Sequence, residues 1–292
     1  MRTLSFIHVL VRTSIAGVLA VALAVPASAD PSIIAAGDIS CGNPPCRGAR
    51  GTARLIGRLH PTAVLALGDN QYPDGALRDY RRSYDLTWGR FERKTHPTPG
   101  NHDYGSSRAA GYFGYFGARA HRARGGFYSF NLGRWHIISV NSGPGRIPHN
   151  SLGWISRNLN ADHHLCELAY WHHPRWSSGR EHGSDQGMSA LWGVLFRAGV
   201  DVVLNGHEHN YERFALMAPS GGPAPRIGIR EFVVGTGGFS HYRLGNPIRG
   251  SQRRIDNTFG VLRMILHERS YSWRFITSGR RVADRGQHAC HR

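Results

Sequence analysis

The sequence predicts an α/β fold in which the first half pairs its strands in parallel and the second half adds antiparallel strands. Two observations support this prediction. Short apolar runs alternate with amphipathic segments over roughly the first hundred residues after the N-terminus, a pattern typical of parallel strands with helices on the sheet faces. Residues that can bind metal follow the predicted strands, and sites in such sheets lie at the carboxyl ends of strands.

In the first half, the predicted strands are short and apolar and end at glycines. Strands are predicted over 32–36 and 63–67 and helices over 49–59 and 77–91, and 97–99 leads into a turn at 100–102. A glycine precedes each of Asp38, Asp69 and Asn101. Glycine permits a sharp turn and a close approach of the backbone, so we expect these three side chains to lie at the sheet edge.

The second half predicts a hairpin, two helices and further strands. The hairpin joins 127–131 to 135–141, and the helices cover 151–159 and 187–198. The further strands are predicted over 165–171, 200–204, 230–234, 260–266 and 271–276. The segment 243–257 is rich in Gly, Pro and Arg and is predicted to be an exposed loop. Because no linker or repeat interrupts this pattern, we predict a single domain over 30–292.

Residues 1–29 have the features of a secretory signal peptide. Arg2 and Arg12 precede the apolar run 15–25, and Ala27-Ser28-Ala29 supplies small residues for cleavage. An uncleaved N-terminal anchor is the alternative, although the apolar run is short for a membrane span. No later stretch is apolar enough to cross a bilayer. We therefore expect a secreted, extracellular protein that begins near Asp30.

The chain is strongly basic, with a formal net charge of +17. Nearly all of the basic residues are arginines, since Lys94 is the single lysine. Arginine suits bidentate recognition of phosphate, but the composition bias of a GC-rich genome also explains heavy arginine use, and we favour it for most of these residues. The positive field would still concentrate anionic substrates near the protein.

Four cysteines, Cys41, Cys46, Cys166 and Cys290, form an even set. Cys41 and Cys46 flank a Gly-Asn-Pro-Pro turn that could bring them together, which leaves Cys166 to pair with Cys290. Disulfides are favoured over metal thiolates because no cysteine adjoins a histidine cluster and an exported chain meets an oxidising compartment. Free thiols or a different connectivity are the alternatives.

Seven residues at five predicted strand ends form a candidate set of metal ligands. They are Asp38, Asp69, Tyr72, Asn101, His172, His207 and His209. A pair of cations about 3.5–4 Å apart can neutralise a phosphate ester and supply a hydroxide nucleophile. One carboxylate would bridge the ions, and alternate residues of an extended His-Glu-His segment would point the same way. The pattern therefore predicts a two-metal hydrolase of phosphate esters.

These motifs resemble those of the calcineurin-like metallophosphoesterases and, among them, the purple acid phosphatases. Many members of the wider superfamily have Asp-x-His at the first motif, whereas this chain has Ser40 two residues after Asp38. The second motif is Gly-Asp-x-x-Tyr, with Tyr72 three residues after Asp69. The tyrosine marks the resemblance to the purple acid phosphatase branch. The resemblance implies a four-layer α/β/β/α sandwich with mixed sheets.

The resemblance also implies which residues hold which ion. Asp38, Tyr72 and His209 would hold the first ion, Asp69 would bridge, and Asn101, His172 and His207 would hold the second. A phenolate favours a hard trivalent ion, so Fe(III) is expected at the first site. Fe(II), Zn(II) or Mn(II) is expected at the second.

Two further histidines are candidate catalytic residues on the substrate side. His102 follows Asn101, and His182 lies ten residues after His172. Both resemble family histidines that bind the phosphate, and either could protonate the leaving group, although His182 could equally be an exposed loop residue. His173 is expected to pack behind the ligands. The glycine-rich segment 235–238 lacks the Lys-Ser/Thr of a phosphate loop and is predicted to be a turn near the cleft.

The predicted function is hydrolysis of phosphate monoesters by in-line attack of a metal-bound hydroxide, in the manner of an acid phosphatase. One alternative is a phosphodiesterase or nuclease on the same scaffold, which the basic charge favours. Another is a non-catalytic protein that binds phosphate or nucleic acid. The expected partner is a phosphorylated small molecule, with nucleic acid only as a substrate, and no obligate protein partner is evident.

Overall fold

The computed structural model describes residues 29–42, 44–143 and 145–291. Within these residues the strands form two mixed sheets. In the six-stranded sheet the order is β13-β12-β11-β1-β2-β3. Its strands are β1 (Ser32–Ala36), β2 (Ala63–Leu67), β3 (Thr95–Thr98), β11 (Gly260–Leu266), β12 (Ser270–Thr277) and β13 (Val282–Ala289). The first three run parallel, and β11 joins β1 in antiparallel register.

The seven-stranded sheet has the order β10-β8-β9-β7-β6-β5-β4. Its strands are β4 (Tyr128–Leu132), β5 (Trp135–Ser139), β6 (Cys166–Tyr170), β7 (Val202–Asn205), β8 (Tyr211–Met217), β9 (Ile229–Val234) and β10 (Ser251–Ile255). Strands β5, β6, β7 and β9 are parallel to one another, and the outer strands pair antiparallel.

The two sheets pack face to face, and helices cover their outer faces. Aromatic rings join the sheets: Phe275 stacks on Tyr211 with ring centroids 4.1 Å apart, and Trp273 meets Phe232 at 5.5 Å. The helices are α1 (Arg47–Leu59), α2 (Leu77–Asp79), α3 (Ala110–Phe116), α4 (His149–Ala161) and α5 (Ser189–Ala198). Apolar side chains of α4 and α5 form a second core against the seven-stranded sheet. This arrangement confirms the predicted α/β/β/α sandwich.

Most predicted strands and helices are present, and the pairing of the hairpin 127–141 is confirmed by β4 and β5. Helix α5 ends where Gly199 adopts a left-handed φ of 86° and its N–H donates to Leu195 O, a common helix stop. All four cysteines lie in the described part, and the bonds are Cys41–Cys46 and Cys166–Cys290, as favoured from the sequence.

Two predictions of secondary structure were wrong. The helix predicted over 77–91 is broken into the short α2, a π-helical turn at Tyr80–Tyr84 and a 3₁₀ segment at Trp88–Lys94. The break is not visible in the sequence, because the buried Tyr80, Tyr84 and Trp88 are four residues apart, as on one face of a regular helix. The loop predicted over 243–257 contains β10, which pairs with β8 through backbone hydrogen bonds that a Gly- and Arg-rich composition does not reveal.

Helix α3 and strands β8 and β13 were also not predicted. Strand β8 follows the last histidine motif directly. Its residues Tyr211 and Arg213 have a structural role, since both donate hydrogen bonds to Asp284 of β13. Among the described residues, no helix has the length and apolarity to cross a membrane. The predicted signal segment lies outside those residues, apart from Ala29.

Candidate metal centre

The predicted ligands lie where the carboxyl ends of the strands of both sheets meet. In chain order the turns after β1, β2, β3, β6 and β7 carry Asp38, Asp69, Asn101, His172 and His207. Backbone hydrogen bonds tie the turns together. The N–H of Asp38 donates to Gly68 O at 3.1 Å, and that of Gly206 donates to His172 O at 3.0 Å. Residues from both halves of the chain therefore share one rigid edge.

Tyr72 lies at the centre of a first group of donor atoms. Its hydroxyl is 2.9 Å from Asp38 Oδ1, 2.9 Å from Asp69 Oδ2 and 3.0 Å from His209 Nε2. His209 Nε2 is in turn 3.2 Å from Asp38 Oδ1. All four side chains are buried. Three hard oxygen atoms and one imidazole nitrogen thus converge on one point.

A second group shares Asp69 with the first. Asp69 Oδ2 is also 3.3 Å from His172 Nε2, which is 3.1 Å from Asn101 Oδ1. The rings of His172 and His207 have centroids 5.0 Å apart, and a nitrogen of each lies within 4.8 Å of the other. One carboxylate oxygen therefore faces both groups, as a bridging ligand would.

Hydrogen bonds on the far side of two imidazoles turn their Nε2 atoms toward the carboxylates. His172 Nδ1 is 2.9 Å from Leu67 O, and His209 Nδ1 is 2.6 Å from Ser240 Oγ. The Leu67 carbonyl can only accept, so Nδ1 of His172 carries a proton, and Nε2 is the nitrogen that becomes free to bind a metal ion when the ring is neutral. This tautomer is the one that a metal ligand requires.

The turns hold an unusual backbone conformation at three of the predicted ligands. Asp38, Asp69 and His207 have φ values of 59°, 48° and 72°, a left-handed region that residues other than glycine seldom adopt. Such strain is concentrated at functional sites, where surrounding contacts impose it. Gly68 is also left-handed, and a methyl group on it would lie 2.5 Å from His172 Nδ1, so the close approach of the two turns requires glycine.

The charges in the centre are arranged for a cation. Burial first, and then the charges of Asp38 and Asp69, raise the pKa of Tyr72 well above its usual range. Burial alone would lower the pKa of His172, but Asp69 and Asp38 outweigh burial and raise it to about 9. Burial and the neighbouring charge of His172 lower the pKa of His207, which keeps that imidazole neutral.

The donor atoms fit a pair of metal ions. Oxygen and nitrogen ligands lie about 2.0–2.2 Å from such ions, so neighbouring corners of an octahedron lie roughly 2.8–3.1 Å apart. Three donor spacings in the first group, 2.9, 2.9 and 3.0 Å, lie in this range, and the fourth, 3.2 Å between His209 and Asp38, is slightly longer. Two carboxylates and a phenol suit a hard, highly charged ion, and two imidazoles with an amide suit a borderline divalent ion.

The two predicted substrate-side histidines flank the centre. The ring of His102 lies 4.3 Å from that of Tyr72, and the backbone N–H of His102 donates to Asp69 Oδ1 at 2.7 Å. The ring of His182 lies 4.0 Å from that of His207, and its side chain is 42% exposed. The buried Glu208 accepts hydrogen bonds from the backbone of His182 and Gly183 at 2.7 and 2.6 Å. Glu208 thereby fixes the loop that carries His182.

His173 lies behind the ligands, as expected from its position. Its Nδ1 is 2.7 Å from Ser142 Oγ, and its ring centroid is 4.4 Å from that of His207. Burial, together with the charge of His172, lowers the pKa of His173 to about 3. His173 is therefore a neutral packing residue against His207.

Three residues of the centre were not identified from the sequence: Phe239, Ser240 and Tyr242. Phe239 stacks on Tyr72 with centroids 3.7 Å apart, and Tyr242 stacks on His209 at the same distance. They follow the glycine-rich segment 235–238, which lies against the Asp38 turn because Gly237 N donates to Gly37 O at 2.9 Å. The segment is thus a turn beside the cleft, and its glycines were the one signal in the sequence.

A family model described as calcineurin-like phosphoesterase matches residues 31–211. Purple acid phosphatase 21 of Arabidopsis thaliana is 28% identical over 204 residues, which cover 66% of this chain and 46% of the Arabidopsis protein. The chain thus matches about half the length of this relative.

Solved structures show the same fold. Purple acid phosphatase PPD1 from yellow lupin seeds has a TM-score of 0.71 and 18% identity, covering 90% of this chain and 54% of the lupin chain. GAP50, the anchor in the inner membrane complex of Plasmodium, has a TM-score of 0.67 and 14% identity, covering 91% of this chain and 90% of the GAP50 chain. PhoD has a TM-score of 0.60 and 12% identity, covering 90% of this chain and 69% of the PhoD chain.

Proposed function

The chain belongs to the calcineurin-like phosphoesterase family, and on this premise we propose that it is a metal-dependent hydrolase of phosphate monoesters of the purple acid phosphatase type. The observation that carries the proposal is the position of Tyr72, whose hydroxyl lies within 3.0 Å of Asp38, Asp69 and His209. Two buried carboxylates that face the same phenol oxygen repel each other, and a hard cation bound at this point would offset their repulsion.

In this proposal two ions occupy the centre, where they would neutralise the phosphate and lower the pKa of a water molecule. Asp38, Tyr72 and His209 would hold an Fe(III) ion. Asn101, His172 and His207 would hold Fe(II), Zn(II) or Mn(II), and Asp69 would contribute its carboxylate to both sites.

The remaining chemistry belongs to the side chains around the ions. His102 and His182 flank the open side of the centre, where they can hydrogen-bond phosphate oxygens and deliver a proton to the leaving alkoxide. Glu208 orients the His182 loop through its two backbone hydrogen bonds. We further propose that the protein acts after export, because a signal-peptide pattern precedes residue 30.

The test is Asp69→Asn, with metal content and hydrolysis of p-nitrophenyl phosphate measured on the same preparation. Loss of one bridging charge should remove bound metal and lower kcat by at least about a hundredfold. Glu268→Gln is the matched control, since it neutralises a carboxylate that is 68% exposed and should change neither. A fully active Asp69→Asn enzyme would refute the proposal.

Comparison of p-nitrophenyl phosphate with bis-p-nitrophenyl phosphate tests the substrate class. We expect a higher kcat/KM for the monoester. A preference for the diester would make the protein a phosphodiesterase or nuclease. Tight phosphate binding without turnover by the metal-loaded protein would make it a binding protein.

A further inference from the structure

Three arginines form a row across the outer face of the six-stranded sheet. Arg263 of β11 is paired with Arg274 of β12, and Arg274 is paired with Arg285 of β13. Residues in direct register point to the same face. The neighbouring residues Trp273 and Phe275 contact the other sheet, so the three arginines point away from it.

A second row lies on helix α1. Arg50, Arg54 and Arg58 are exposed and four residues apart, so they form a stripe along one side of the helix. Helix α1 packs on the same face of the sheet, against β11. The turn between β12 and β13 also contacts it, since a methyl group on Gly51 would lie 3.2 Å from Ser278 Cβ. The two rows therefore lie next to each other on the outer side of the six-stranded sheet, and we refer to them together as the arginine face: Arg50, Arg54, Arg58, Arg263, Arg274 and Arg285.

No carboxylate balances the arginine face. Helix α1 and strands β11 and β12 contain no Asp or Glu. The acid of β13, Asp284, is bound to Arg213 and Tyr211 of the other sheet. Among the described residues, none of the six arginines has a carboxylate within 4.0 Å, and Arg263 Nε is buried without a hydrogen-bond partner.

Like charges directly opposite in a sheet, or four residues apart on a helix, are unfavourable. Both arrangements occur on the arginine face. The positive charge of its arginines is therefore not neutralised by carboxylates of the protein. We propose that the arginine face binds the phosphodiester backbone of double-stranded nucleic acid, without reading its sequence. Guanidinium groups bind phosphate oxygens in a bidentate way, and a duplex offers regularly spaced phosphates on a firm surface.

The other side chains on this face favour a duplex over a single strand or a bilayer. Single-strand sites rely on exposed aromatic rings for base stacking, but the aromatic rings of β12, Tyr271, Trp273 and Phe275, are buried toward the other sheet. Membrane binding gains from apolar side chains that enter the bilayer. The exposed large apolar residues of the described part are Leu86, Ile227 and Val282, and Val282 alone belongs to strands β11–β13.

The test uses the full-length protein and a fluorescent DNA duplex of about 20 base pairs, titrated at several salt concentrations. The variant replaces Arg54, Arg274 and Arg285 with Gln. Each phosphate contact contributes roughly −0.9 to the slope of log K against log salt, so this triple variant should bind more weakly and show a slope shallower by about 3.

A matched control replaces three exposed arginines outside the face, Arg157 of α4, Arg197 of α5 and Arg226 of the β8–β9 loop, with Gln. This control variant loses the same number of positive charges as the Arg54/Arg274/Arg285 variant. Its slope of log K against log salt should equal that of the wild type. Both variants should retain hydrolysis of p-nitrophenyl phosphate at the wild-type rate if that activity is present, and the wild-type thermal midpoint in any case. Since binding is measured independently of turnover, the inference stands or falls separately from the proposed function.

Three results would overturn the inference. Equal weakening by both triple variants would mean that net charge alone causes binding. An unchanged slope in the Arg54/Arg274/Arg285 variant would exclude the face as the site. Equal or tighter binding to phosphatidylglycerol vesicles, or to single-stranded DNA, would assign the face to a different partner.

Discussion

The ionisation of Tyr72 would depend on a bound ion. Its hydroxyl faces two carboxylates, and burial with these charges raises its pKa well above the usual range. Without a cation the phenol stays protonated and donates to a carboxylate. A trivalent ion at the same point would favour the phenolate, because it is a hard anionic ligand.

We predict that Tyr72→Phe abolishes the visible absorption of protein loaded with Fe(III), since phenolate-to-iron charge transfer requires the oxygen. The ring should keep its stacking on Phe239, 3.7 Å away, so folding should be retained. Tyr242→Phe is the matched control, because it removes a hydroxyl from the ring that stacks on His209 and should keep the colour. Colour in the Tyr72→Phe protein would exclude Tyr72 as the ligand.

His182 is suited to protonate a leaving group, because it is half-exposed beside His207 and its backbone is fixed by Glu208. We predict that His182→Gln lowers kcat about 10²- to 10⁴-fold for an alkyl phosphate. For p-nitrophenyl phosphate the loss should be much smaller, since its phenolate leaves without a proton. Steady-state kinetics on both substrates measure this ratio. Equal losses on the two would assign His182 to binding rather than to proton transfer.

At the scale of elements, the turns after β2 and β3 are joined by one carboxylate. Asp103 accepts hydrogen bonds from Gly100 N at 2.9 Å, Asn70 Nδ2 at 2.9 Å and Tyr80 hydroxyl at 2.5 Å. It lies in the turn that carries Asn101 and His102. The carboxylate is buried, so its hydrogen bonds hold two ligand-bearing turns in a fixed relation.

Asp103→Asn should lower the free energy of unfolding by about 2–3 kcal/mol. Both carboxylate oxygens of Asp103 accept hydrogen bonds, and the substitution replaces one of them with an NH₂ group. In either orientation of the new amide, this NH₂ group therefore faces a hydrogen-bond donor. Affinity for the second metal ion should fall as well, because the turn that carries Asn101 loses hydrogen bonds that hold it in place. Urea unfolding and metal titration measure the two effects. The control is Asp85→Asn, at an exposed carboxylate that accepts a hydrogen bond from Tyr115. It should change the free energy of unfolding and the metal affinity far less. Equal effects of the two substitutions would contradict this explanation.

At the scale of the whole molecule, Asp284 connects the two sheets near their edge strands. It accepts hydrogen bonds from Tyr211 hydroxyl at 2.7 Å and Arg213 Nε at 2.8 Å, both on β8, and from Trp273 Nε1 at 3.1 Å. Burial would raise the pKa of Asp284, but the bonds from Arg213 and Tyr211 outweigh burial and lower it. A lowered pKa in the folded state means that the ionised carboxylate stabilises the fold.

We predict that Asp284→Asn lowers the free energy of unfolding by about 1–3 kcal/mol at neutral pH. The stabilisation is present above the unfolded pKa of about 3.9 and is lost as the pH falls through the lower folded value. The difference between wild type and variant should therefore narrow with acidification, as urea unfolding at neutral and acidic pH will measure. A constant difference across this range would show that the charge is not responsible.

Strands that are specified by a local apolar run and its own turn could be predicted, and strands that depend on pairing with distant segments could not. The strands that end at Asp38, Asp69 and His172 were predictable, because each combines a short apolar run with its own turn. Strand β13 was not predictable. Its residues include Asp284, Arg285 and Gly286, and apolar and polar residues do not alternate along it as they do in a typical half-buried strand. Its pairing with β12 provides the hydrogen bonds that keep it extended.

The sequence by itself determined the types and the order of the candidate metal-binding donors, because each donor follows its own strand within a few residues. Tertiary structure alone decided which donors meet. Tyr72 and His209 are 137 positions apart and lie 3.0 Å apart, and Asp69 Oδ2 faces both groups because two sheets meet at one edge. The same packing brings Phe239, Ser240 and Tyr242 against the ligands. The physical reason is that strand register and sheet packing depend on contacts between distant segments, which no local pattern encodes.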